Sequence, residues 1–106
     1  MAFKVLGQAA PSATTATTVY EVAAEKSAVL STVTVCNRGA VAATYRLAVV
    51  PDGESLGSEH YIAYDAVLPA YSSDYHRGGF TAAAGDALIV YASTADFSVS
   101  VFGDES

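Results

Sequence analysis

Val29-Leu30-Ser31-Thr32-Val33-Thr34-Val35-Cys36, followed beyond Asn37-Arg38-Gly39 by Thr44-Tyr45-Arg46-Leu47-Ala48-Val49-Val50, decides the fold class. Successive side chains of a strand point to opposite faces. Val33 and Val35 therefore share one face, and Thr32 and Thr34 the other. Two such runs separated by a short polar segment read as a β-hairpin with one buried face.

Outward from this pair, further strands are expected at regular spacing. Thr18–Val22 precedes it, after the turn Ala23–Ala28. Pro51-Asp52-Gly53 is a turn, because proline presets φ and glycine accepts φ > 0. His60–Val67 is a strand closed by Pro69, and Ser72–Phe80 a weaker one anchored by Tyr75 and Phe80. Ala87–Ala92 is apolar on both faces, which suits a central strand. Phe97–Phe102 alternates, and Gly103–Ser106 reads as a short acidic tail. No window holds a 3.6-residue period over a helical length, and no internal repeat occurs. Roughly seven to eight short strands with turns between them give an all-β domain, a single antiparallel β-sandwich of Greek-key or jelly-roll type. A closed barrel satisfies the same alternation.

Residues 1–18 form a separate block, an extended N-terminal arm ahead of a sandwich over 19–106. Lys4–Gln8 is a short strand, and Ala9–Thr18 is uncharged and without period. With so little bulk to pack, this arm either lies on the domain as an edge or reaches a neighbouring subunit.

The 106 residues make one domain, long enough for a core without disulfides or metal. Hydrophobic residues are 52% of the chain and charged ones 15%. Much of the apolar content is alanine, so the core leans on Val, Leu, Ile, Tyr and Phe. A surface this weakly charged is either covered by a partner or a quiet Ala/Thr exterior. The net charge is −6, and Lys4, Lys26, Arg38, Arg46 and Arg77 are scattered. No basic patch exists to neutralise phosphates, so neither nucleic acid nor an anionic membrane is an expected partner. Cys36 is the single cysteine and reads as a small apolar filler. The first residues, Met1–Gly7, lack the apolar stretch of a signal peptide, so synthesis in a cytosol is expected.

Residues suited to catalysis do not converge. His60 and His76 stand apart, and Glu59 faces away from His60 if both lie on a strand. Asp52-Gly53-Glu54 lacks the rest of a calcium loop. No Gly-x-Ser-x-Gly elbow occurs, and Gly78-Gly79 leads into a strand rather than a phosphate-binding helix. A non-enzymatic protein without metal or cofactor is expected.

The tyrosines are the positive signal. There are seven, with no tryptophan, and Tyr61, Tyr64, Tyr71 and Tyr75 fall within fifteen residues. Tyrosine joins a large contact area to a polar handle and is favoured at interfaces. Tyr71 and Tyr75 are the interface candidates; Tyr45 and Tyr61 are assigned to the core. The full interface set is Lys4, Val5, Leu6, Gln8 and Pro11 on the arm, with Tyr71, Tyr75 and Phe80.

Five segments taken together carry a resemblance over nearly the whole chain: Lys4–Gln8 with Pro11, Ser31–Gly39, His60–Asp65, Val90–Ala95 and Phe102–Glu105. In combination they resemble small virion structural proteins of tailed bacteriophages of aquatic bacteria, cyanophages among them. The resemblance implies a non-enzymatic particle component, made in the host cytoplasm and residing in the virion. It implies other virion proteins as partners and a homo-oligomer, a trimer being the expected form. Two placements follow: a tail, baseplate or fibre accessory, or a capsid decoration (cement) protein on the head. A host glycan-binding module is a third class, since exposed tyrosines can stack on sugars.

Overall fold

The structure, a computed structural model, describes residues 3–106; the first two residues of the expected arm lie outside them. Eight strands make up the fold: β1 (Lys4–Ala9), β2 (Thr17–Glu21), β3 (Ser27–Asn37), β4 (Ala43–Val50), β5 (Tyr61–Leu68), β6 (Ser73–Ala83), β7 (Ala87–Ala92) and β8 (Phe97–Glu105). They form two four-stranded antiparallel sheets, ordered β1-β8-β3-β6 and β2-β7-β4-β5. The chain winds between the sheets in the manner of a double-sheet jelly roll. Valine, leucine and aromatic side chains of both inner faces fill the core, among them Tyr45, Leu47, Phe97, Val33 and Val99. Among the described residues no helix is long and apolar enough to cross a membrane.

The sandwich class agrees with the sequence, but β3 and β4 are not a hairpin. They lie in different sheets. At the crossing from one sheet to the other stands Asn37, which is fully buried. Its Nδ2 donates to the carbonyls of Val41 and Leu68 at 3.0 and 3.1 Å, and Pro69 O lies at 3.3 Å. Its Oδ1 accepts from Gly39 N at 2.9 Å. One side chain thus satisfies the backbone of the crossing and of the β5–β6 connection together. The hairpin that does occur joins β4 to β5 across the Pro51–Gly53 turn.

Alternation along β3 also breaks once. Leu30 pairs with Gly103 and Thr32 with Phe102, leaving Ser31 as a bulge whose Oγ donates to Phe102 O at 3.1 Å. The extra residue switches phase, so Ala28 and Leu30 are buried beside Val33 and Val35. Cys36 lies half-buried on the opposite face, outside the core cluster. The expected arm lies on the domain: β1 is an edge strand paired to β8. The expected acidic tail is the end of β8, and Ser106 exchanges backbone hydrogen bonds with Ser27.

Two tyrosines reach from one sheet to the other. Tyr45 Oη on β4 donates to Asp74 Oδ2 on β6 at 2.7 Å, and His76 Nε2 also lies 2.7 Å away. The phenol has one proton and gives it to Asp74, so His76 is the donor in the second bond. Tyr20 on β2 donates to Glu105 on β8. Burial, and then the hydrogen-bonded carboxylate, raise both phenols well above the ordinary tyrosine value. A raised folded-state value means that the fold holds a proton the unfolded chain releases near pH ~10. Stability from these pairs is present below that pH and declines as pH rises past it. Urea unfolding is expected to show the midpoint falling above about pH 10. In Tyr45→Phe the alkaline loss is expected to shrink; an unchanged loss would mean that other groups cause it.

Candidate functional site

The β5 strand departs twice from regular pairing. Ala48 pairs with Tyr61, Leu47 with Ala63, and Tyr45 with Ala66, so β5 carries an extra residue in each interval. In the second lies Asp65, at φ +49. Such insertions re-aim side chains. With them, Ala63, Ala66 and Leu68 face the core. Tyr61 and Tyr64, an odd number of residues apart, come to the same outer face, with ring centroids 4.9 Å apart and planes at 79°. Tyr61 is thus a half-buried surface residue and not the core residue expected from alternation.

Arg46 builds the floor behind them. It lies opposite Tyr91 in the β4–β7 register. Its guanidinium sits 4.2 Å from the Tyr64 centroid and 4.8 Å from that of Tyr91. Its Nε and Nη2 donate to the two oxygens of Asp65 at 2.6 and 3.3 Å. The hydrogen bond from Arg46 holds the Asp65 carboxyl below its usual range. Arginine is suited to this double role because its planar fork stacks and pairs at once.

The wall comes from the β4–β5 connection. His60 is buried in a short 3-10 turn, Ser58–His60. Its Nδ1 accepts from Gly57 N at 2.9 Å, and Nε2 lies 3.0 Å from Glu54 and 3.7 Å from Glu59. The sequence reading that placed Glu59 away from His60 is corrected here, because a 3-10 turn and not a strand holds them. Glu54, Glu59 and His60 come close enough to hold a cation. The histidine is set the wrong way for one. With Nδ1 accepting, the neutral ring carries its proton on Nε2, the atom that faces both carboxylates. His60 instead fixes the loop. Leu56, Gly57 and Ser58 then close, with Tyr61 and Tyr64, an open cavity of about 560 Å³.

The interface residues read from the sequence do not form one surface. Lys4, Val5 and Gln8 lie exposed on β1, with Gln8 Nε2 donating to Ser100 Oγ at 3.2 Å. Leu6 packs against the core, and Pro11 is fully buried, so neither is free for a partner. Phe80 also packs on the core. Tyr75 is exposed on β6, 5.5 Å from the Arg77 guanidinium, at the edge of the sheet opposite β1. Tyr71 is 73% exposed in the β5–β6 connection. Val41 and Val67 are also exposed, at 75% and 68%, on segments tied together by the Asn37 bonds to Val41 and Leu68 and by Tyr71 N donating to Gly39 O at 3.2 Å. Sequence reasoning missed Val41, Val67, Tyr64, Leu56 and Arg46 in these surfaces. The spacing of Tyr61 and Tyr64 was the available signal for part of it.

Comparison with protein-family models, with curated proteins and with solved structures gives no match.

Proposed function

We propose that this chain is a non-enzymatic structural accessory of a bacteriophage particle, a component of its tail, baseplate or fibres that self-associates and binds other virion proteins. The observation that supports this most is the exposure of three large apolar residues, Val41, Val67 and Tyr71, on segments whose backbones meet around Asn37 and Gly39. Large apolar side chains left in the open on such segments make a surface suited to being covered. The exposed β1 edge lies on the far side of its sheet from β6. Contact between unlike surfaces of successive copies is heterologous; where its rotation closes it builds a ring, and we take that ring to be a trimer. Burial at such contacts favours assembly by mass action.

The test is the abundance of the chain in purified virions, by quantitative mass spectrometry against the major capsid protein. A tail ring predicts roughly a few copies per hundred capsid subunits. A ratio near one to one or one to three would make it a capsid decoration protein instead. Absence from the particle would overturn the virion reading. The double variant Val41→Asp, Val67→Asp is expected to keep its thermal midpoint and lose both self-association, read by sedimentation, and particle incorporation. Removal of residues 1–12 is a poorer test, because it strips β1 from β8 and takes away the buried Pro11.

A further inference from the structure

We propose that the cavity between the β4–β5 connection and the outer face of β5 is a binding site for a neutral carbohydrate. The inference goes beyond the particle role and stands or falls separately from it. Its lining is Leu56, Gly57, Ser58, Tyr61 and Tyr64, with no charged side chain. About 560 Å³ lies within the range of small-ligand sites.

A sugar ring has an apolar C–H face and a rim of hydroxyls. The site has the matching parts: aromatic carbon for the face, and two exposed hydroxyl-bearing residues, Tyr64 and Ser58, for the rim. The rings of Tyr61 and Tyr64 touch edge to face, so they form a ledge and leave no slot between them for an inserted side chain. That geometry favours a flat ligand over a proline-rich peptide, which needs grooves between aromatics. Charge selects further. Glu54 and Glu59 flank the loop, and the chain carries −6 overall, so sialylated or phosphorylated glycans are repelled.

The strongest sign of a built site is behind Tyr64. This residue is 59% exposed, yet Arg46 backs its ring, and Asp65 and Tyr91 fix Arg46. On the other side, His60 fixes the loop that carries Leu56 and Ser58. Ledge and wall are therefore both set before a ligand arrives, which lowers the ordering cost of binding.

The experiment probes the isolated full-length protein against an array of neutral and acidic oligosaccharides, with titration of any hit by NMR. Saturable binding to a neutral oligosaccharide is expected. Tyr64→Ala should weaken it by about tenfold or more, and so should Ser58→Trp, which fills the cavity while leaving Tyr64 in place. Tyr75→Ala, equally exposed on the other sheet, should bind as the parent does. No saturable binding, binding to acidic glycans alone, or undiminished binding by both cavity variants would overturn the proposal. Capture of a proline-rich peptide at the same residues, with no sugar bound, would overturn it as well.

Discussion

Asn37→Ala is expected to lower the unfolding free energy by about 3 kcal/mol or more, and the thermal midpoint by about 10–20 °C. The substitution removes a side chain that meets two crossings at once. Gly39 N loses its acceptor, and the carbonyls of Val41 and Leu68 lose their donor. The Leu68 carbonyl is left buried and unpaired, which costs about 1–3 kcal/mol, and the part-buried Val41 and Gly39 groups add less each. Asn37→Asp separates the two halves of the interaction. It keeps the acceptor for Gly39 but turns a carboxylate toward the carbonyls of Val41, Leu68 and Pro69. At neutral pH it is expected to be worse than alanine, since an unpaired buried charge is costlier than an absent group. Urea unfolding followed by circular dichroism measures both. An alanine variant within about 0.5 kcal/mol of the parent would show that the crossing holds itself.

Gly103→Ala is the second large effect, a loss of about 3 kcal/mol read by urea unfolding. A Cβ at this position would overlap the Val29 carbonyl oxygen and approach Leu30 Cα to 3.1 Å. Both are backbone atoms of the neighbouring strand, so no rotamer change relieves the clash. β8 and β3 are the two inner strands of their sheet, and parting them loosens the sheet from within. Gly53→Ala is the comparison. Gly53 has φ +80 and open space around it, so an added methyl there costs only the left-handed conformation, about 1–2 kcal/mol. If the two variants lose equal stability, the strand contact contributes nothing special.

Fold class was legible because alternation and turn chemistry are local. Val33 and Val35 against Thr32 and Thr34 could hardly be anything but a strand, and Pro51-Asp52-Gly53 marks the turn where it occurs. Sheet membership was not legible. Whether the chain after β3 turns back or crosses over depends on where the Asn37 side chain finds its partners, and Leu68 is thirty-one residues away. The bulges were only partly hidden. Leu30 and Val33 are separated by two polar residues, a spacing that strict alternation cannot place on one face. The same holds for Tyr61 and Tyr64. Applying a period of two through β5 sent Tyr61 to the core and missed the ledge it makes with Tyr64. The arm looked separable because its composition differs, yet composition does not tell whether an uncharged segment pairs with a strand ninety-odd residues later. Arg46 read as one scattered cation among five, and its stack with Tyr64 and Tyr91 needs the register of three strands.

Only β4 and β5 are both consecutive and paired. Every other ladder joins segments far apart along the chain, and β8, the last of the eight strands in chain order, lies between β1 and β3. Until residues 97–105 have been synthesised β1 has no sheet partner and β3 has only β6. Completion of the β1-β8-β3-β6 sheet is therefore expected only once residues 97–105 have left the ribosome exit, and folding to be slow, in the millisecond-to-second range of high-contact-order β proteins. During that wait the edges of β1 and β3 that β8 covers stand unpaired, which makes the nascent chain a natural client of chaperones.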